Sequence, residues 1–113
     1  MTAMLDRHVG STFDRINPVT GEVATTVQAA TVEDANAAVA AAAAAFPAWS
    51  VLGPNARRAL LTKAATALEA KADAFVDAMM GEIGATEGWA RFNLMLAAGM
   101  IREAAALTTQ IAG

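Results

Sequence analysis

Residues 89–96 contain the side chains best suited to bind a ligand in an otherwise alanine-rich chain. Trp89 and Phe92 stand three residues apart, Asn93 follows, and Leu96 lies one helical turn beyond Phe92. Residues at three- and four-residue steps share one face of a helix. Two rings and a leucine beside an amide can form an apolar wall with a polar contact at its edge. The same spacing is typical of an ordinary hydrophobic core, so both interpretations stay open.

Residues that could carry out covalent or acid–base chemistry are scarce. The sequence has no cysteine, which excludes disulfides, thiolate metal sites and thiol nucleophiles. The single histidine, His8, lies near the N-terminus, where we predict a solvated side chain. No His, Asp and Glu set has metal-ligand spacing, and no glycine pattern matches a dinucleotide or phosphate loop. We therefore predict no catalytic, cofactor-binding or metal-binding residue in this chain.

The composition indicates a thin core. The chain has 113 residues, enough for one domain, and is 56% hydrophobic, but much of that content is alanine, which buries little area. The net charge is −3 without a basic run, so we expect no nucleic-acid partner. The apolar run at 37–46 is too short to span a membrane, and the start MTAMLDRHVG has no apolar signal-like region. We expect a cytoplasmic chain without membrane contact.

The predicted fold is mostly α with an N-terminal β-hairpin. Two β-rich runs, at 11–17 and 23–30, flank the turn signal Pro18-Val19-Thr20-Gly21, which is longer than a two-residue turn. The tail and hairpin occupy 1–30, and a helical segment occupies 31–113, which together make one incomplete domain. Apolar periodicity and capping residues predict helices at about 32–46, 54–70, 71–83 and 86–111.

Local signals set the predicted helix ends. Thr31 with Asp34 resembles a capping box, and Thr86 caps the last helix. We expect Pro47 to stop the first helix and Trp49 to be a buried anchor in the loop 47–54. Three acidic side chains at four-residue steps predict a solvated face: Glu69, Asp73 and Asp77.

The last helix carries two apolar arcs on a helical wheel. One arc contains Trp89, Phe92, Leu96, Met100 and Leu107, and the adjacent one contains Leu94, Ala97, Ile101 and Ala105. Arg91, Arg102 and Thr109 lie on the narrow remaining side. Such a helix is expected to be covered by two neighbours. The sequence offers candidates for one of them.

Three blocks in order resemble the amino-terminal region of the aldehyde dehydrogenase superfamily. They are FDRINPVTGEV at 13–23, EDANAAVAAAAAAFPAW at 33–49 and GPNARRALLTKAATALE at 53–69. The later stretches GATEGWARFN at 84–93 and REAAALTTQIAG at 102–113 look most like the branch acting on salicylaldehyde, benzaldehyde or vanillin. The resemblance implies the N-terminal part of the α/β aldehyde dehydrogenase fold, incomplete in this chain.

The resemblance also implies the oxidation of an aromatic aldehyde to a carboxylic acid with NAD or NADP. The cysteine, asparagine and glutamate that the family uses, and its dinucleotide-binding strands, have no match here. We expect the chain alone to be inactive and to bind no cofactor. By the resemblance, Trp89, Phe92, Asn93 and Leu96 belong to one wall of the aldehyde channel.

An alternative function needs no catalysis. The chain could be a standalone helical module for self-association or interaction, because its last helix expects a second neighbour. The expected partner is therefore either the remainder of an enzyme or a copy of the chain itself. A small active enzyme has the least support, since no catalytic set is present.

Overall fold

The structure is a computed structural model that describes residues 11–111. His8 and the rest of the start MTAMLDRHVG lie outside the described residues. Within residues 11–111, no helix is both long and apolar enough to cross a lipid bilayer. The predicted fold class, mostly α with a β-hairpin, is confirmed by six elements: β1 (Thr12–Ile16), β2 (Val23–Gln28), α1 (Val32–Ser50), α2 (Pro54–Glu69), α3 (Ala72–Ile83) and α4 (Glu87–Leu107).

Asn17 organises the turn of the antiparallel hairpin. Its side-chain oxygen accepts the N–H groups of Val19 (2.8 Å) and Thr20 (3.2 Å). Its backbone accepts from the N–H of Gly21 and donates to the carbonyl of Glu22, both at 2.9 Å. Gly21 has a φ of +75°, which favours glycine because it has no side chain to clash. The predicted longer turn is therefore confirmed.

The hairpin docks at the end of α3, beside the start of α4. Gly84 ends α3 in the left-handed conformation, with a φ of +67°. A Cβ at this position would lie 2.7 Å from a methyl group of Val19, so the hairpin turn approaches the glycine closely. Arg15 of β1 also forms an ion pair with Glu82 of α3. Gly84 thus serves both the reversal of the chain and the packing of the hairpin.

Helix α1 begins as predicted and ends later than predicted. Thr31 and Asp34 form both hydrogen bonds of the capping box. The helix passes through Pro47 to Ser50, so the predicted stop at residue 46 is wrong. Proline loses its own N–H bond and crowds the preceding turn, but it can remain in a final turn. Here the Ser50 hydroxyl donates to the carbonyl of Pro47 at 2.8 Å. Trp49 lies in this last turn and is 40% exposed, so it is not the buried loop anchor that we expected.

The core lies where α4 packs across α2 and α3. Its buried residues, among those that the structure describes, are four alanines and one valine: Ala65, Val76, Ala90, Ala98 and Ala105. Small side chains let helix axes approach closely. They also bury little area, which agrees with the thin core expected from composition. None of the nineteen described residues of α1 is buried.

Helix α4 ends at Leu107, four residues before the predicted end at 111. Thr108 donates both its N–H (3.4 Å) and its hydroxyl (2.8 Å) to the carbonyl of Ala105. The N–H of Gln110 donates to the carbonyl of Leu107 at 2.9 Å. These bonds tighten the chain, and threonine hydroxyls compete with helical bonding, so the regular helix stops.

Replacing Pro47 with alanine should strengthen α1. The substitution restores an N–H donor and removes the clash of the ring with the preceding turn. We expect greater helical ellipticity by circular dichroism and a gain of about 1–2 kcal/mol in helix stability. Pro54→Ala is the matched control, because proline is tolerated at the first position of α2. Equal gains from both substitutions would contradict the role given to Pro47.

The thin core predicts weak stability for the 113-residue chain. Burial of alanine contributes little free energy, and stability is a small difference between large terms. We expect light scattering to show association, or thermal circular dichroism to show a broad transition at low temperature. A monomer with a sharp melt at high temperature would be the opposite result.

Candidate functional site

The first turn of α4 places Trp89. The left-handed Gly84 turns the chain away from α3, and the hydroxyl of Thr86 accepts the N–H of Trp89 at 3.3 Å. Thr86 is therefore the predicted N-cap. Because the cap fixes where the helix begins, it also fixes the direction in which residue 89 projects.

Trp89 and Phe92 form a stacked pair on the surface. Their ring centroids are 5.5 Å apart, with an angle of 29° between the planes. The residues are 57% and 44% exposed, and Leu96, one turn farther along, is 47% exposed. The structure thus brings three of the four predicted channel residues onto one outward face. Such a face can contact a further ring without rearrangement.

The outward face lies opposite the packed side of α4. The packed side holds Ala90, Ala98 and Ala105, which are buried against the other helices. Leu94 and Ile101, from the second predicted arc, are half-buried. The outward face continues through Met100 and Leu107, which are more than half exposed. Within residues 11–111, α4 has one neighbouring layer, and the second predicted neighbour stays a prediction.

Asn93 lies at the edge of the outward face and lines a different recess. Its side-chain amide donates to the carbonyl of Trp89 at 2.9 Å, so this donor is used within the helix. The residue is half-buried beside a partly open cavity of about 280 Å³. The cavity lies between α4, the end of α2 and α3. Its other lining residues are Leu68, Phe75, Met79, Leu94 and Ala97.

A strip of arginines borders the packed side of α4. Arg91 donates to Glu87 at 2.8 Å and to Asp73 of α3 at 3.3 Å. The hydrogen bond to Glu87, and then that to Asp73, raises the pKa of Arg91. Arg91 therefore stays charged at any physiological pH. Both carboxylates are well exposed, so these ion pairs contribute little to stability.

The acidic residues at four-residue steps are exposed, and two of them also form ion pairs with α4. Glu69 forms an ion pair with Arg102 of α4, as Asp73 does with Arg91. The predicted exposure is confirmed, but the residues do not share one helix, because the helix breaks between Glu69 and Asp73. Glu69 ends α2, while Asp73 lies in the first turn of α3, so a single helical wheel does not relate them.

Arg58 of α2 makes three contacts with the end of α4. Its Nε donates to the carbonyl of Ala105 at 3.2 Å, and its Nη2 donates to the carbonyl of Ala106 at 3.0 Å. Nη2 also donates to the hydroxyl of Thr109 at 2.9 Å. The partners of Arg58 lie 47 to 51 residues away in the chain, and no local sequence signal reveals them.

The outward face can bind and orient an apolar molecule. Rings and methyl groups supply contact area and stacking, which adds roughly 0.5–1.5 kcal/mol per aromatic pair beyond burial. Within the described part of the chain, no three His, Cys, Asp or Glu residues converge as a metal site. A second apolar recess of about 380 Å³ lies on α1, between Phe46 and Trp49.

Comparisons with known proteins agree on one family. The model of the aldehyde dehydrogenase family matches residues 5–113. The vanillin dehydrogenase of Pseudomonas fluorescens is 58% identical over 104 residues, which cover 92% of this chain and 21% of that protein. The chain thus spans about a fifth of the length of this curated relative.

Two solved structures match the fold as well. The salicylaldehyde dehydrogenase from Pseudomonas putida G7, complexed with salicylaldehyde, has a TM-score of 0.84 and 46% identity, and the match covers 88% of this chain and 21% of that one. An NAD-dependent benzaldehyde dehydrogenase from Corynebacterium glutamicum has a TM-score of 0.85 and 27% identity, over 91% and 22% of the two chains. With the family match over nearly the whole sequence, they confirm the resemblance of the three sequence blocks: this chain belongs to the aldehyde dehydrogenase family.

Proposed function

We propose that this chain is the amino-terminal segment of an NAD(P)-dependent aldehyde dehydrogenase that oxidises an aromatic aldehyde to a carboxylic acid. In that enzyme, the outward face of α4 forms one wall of the aldehyde channel. Trp89, Phe92 and Leu96 contact the substrate, and Asn93 borders the wall.

The observation that carries the proposal is the exposed, stacked pair of Trp89 and Phe92. A free apolar face of this kind is costly in water and usually marks a site that another molecule or chain segment covers. The pair lies on the side of α4 opposite to its packing against α2 and α3. Covering it therefore requires no change in the helical layer.

The names of the similar proteins support an aromatic substrate. They act on vanillin, salicylaldehyde and benzaldehyde, each of which is a ring bearing an aldehyde. A planar ring can stack on Phe92 or meet the edge of Trp89, at centroid distances of about 4.5–7 Å. An aliphatic aldehyde loses this stacking, so the wall favours aromatic substrates.

The proposed share of this chain in the reaction is binding and orientation. A thiol nucleophile must come from elsewhere in the enzyme, because the sequence has no cysteine. The described strands form only an antiparallel pair, which does not fit a dinucleotide-binding unit of parallel strands and a crossover helix. No step involving the nicotinamide cofactor is therefore assigned to residues of this chain.

Substitutions in the wall test the proposal in a full-length enzyme. Residues 11–111 are placed in the vanillin dehydrogenase of Pseudomonas fluorescens, in exchange for its matching segment. Trp89→Ala and Phe92→Ala should each lower kcat/KM for benzaldehyde about tenfold, mainly through KM, because ring contacts are lost. The kcat/KM for acetaldehyde should change less than about twofold.

Met95→Ala is the matched control, since Met95 is 64% exposed on α4 and is not one of the proposed wall residues. It should leave both substrates unaffected. If Trp89→Ala and Phe92→Ala lower activity toward both aldehydes equally, the two residues support the fold, and they do not select an aromatic ring.

A further inference from the structure

Arg58 holds the opposite end of α4 from the stacked rings. Its contacts reach the carbonyls of Ala105 and Ala106, in the last turn of the helix, and the hydroxyl of Thr109 just beyond. The carbonyl of Ala105 also accepts the N–H and the hydroxyl of Thr108. A cation at this position complements the negative end of the helix dipole. Arg58 therefore binds the end of α4 at a position set by α2.

The fully buried residues on the packed side of α4 do little to fix the helix along its axis. They are Ala90, Ala98 and Ala105, whose short side chains form shallow ridges, and the larger Leu94 and Ile101 are only half-buried. The two ion pairs of Arg91 and Arg102 join flexible side chains on both partners. Arg58 differs because it contacts backbone oxygens, which cannot move independently of the helix axis.

We propose that Arg58 is a positioning residue for aldehyde selectivity. It fixes the axial position and rotation of α4, and thereby the places of Trp89 and Phe92. The proposal rests on the proposed function, in which these two residues line the channel. A shift by one residue along a helix moves a side chain by 1.5 Å and 100°. A misplacement of about 1 Å is enough to impair a bound substrate.

The test uses the same full-length enzyme and measures kcat/KM for benzaldehyde divided by kcat/KM for acetaldehyde. Arg58→Ala should lower this ratio about threefold or more, through KM for benzaldehyde. Arg58→Lys should restore part of the ratio, because an ammonium group keeps the charge and reaches a carbonyl but lacks the fork of a guanidinium.

Two further variants separate positioning from folding. Thr109→Val removes one of the three contacts at almost constant volume, so it should lower the ratio in the same direction by a smaller factor. Arg57→Ala is the matched control, because Arg57 donates to the carbonyl of Ser50 (2.7 Å) and not to α4. It should leave the ratio unchanged.

The outcomes distinguish this inference from the proposed function. If Trp89→Ala and Phe92→Ala leave the ratio unchanged, the channel wall is wrong regardless of Arg58. If Trp89→Ala and Phe92→Ala lower the ratio while Arg58→Ala and Thr109→Val keep the wild-type ratio, only the positioning role is wrong. A loss of activity toward both aldehydes by the same factor in the Arg58 and Thr109 variants would likewise overturn positioning.

Discussion

The packing of small side chains on one side of α4 is the contact on which the arrangement of the other elements depends. Ala90, Ala98 and Ala105 bring α4 close to α2 and α3. The larger Leu94 and Ile101 on the same side are half-buried. Trp89, Phe92 and Leu96 project outward, where Trp89 stacks on Phe92. One packing choice thus creates both the core and the candidate binding face.

Polar contacts add directional constraints between the helices that alanine packing does not provide. Arg58, Arg91 and Arg102 each join α4 to the layer formed by α2 and α3. The hairpin adds a further constraint at the other end, because its turn packs on Gly84 just before α4 begins. The start and the end of α4 are both held by residues distant in sequence.

Local sequence signals predicted the elements well because capping and turn chemistry act over a few residues. Thr31, Thr86 and the Pro18–Gly21 turn lie where expected. Pro47 remains in α1, against the prediction, because it lies near the helix end. The ion pair of Glu69 with Arg102 of α4 was not predicted, because a wheel of one helix cannot show a contact between two helices.

The candidate site was predictable only in part, for the same reason. Helical periodicity put Trp89, Phe92 and Leu96 on one arc, and the structure places them there. Periodicity could not tell which of the two arcs would be packed, because both are apolar. It also could not place Asn93 beside the recess shared with α2 and α3, nor reveal the contacts of Arg58, which join residues far apart in the chain.

The most direct test of the channel wall is a crystal structure of the full-length enzyme carrying residues 11–111, with benzaldehyde bound. A channel wall requires the ring of benzaldehyde within about 4.0–4.5 Å of Trp89 or Phe92, the distance of apolar contact. If both side chains are instead enclosed by protein side chains and the aldehyde lies elsewhere, the outward face of α4 is an ordinary packing surface.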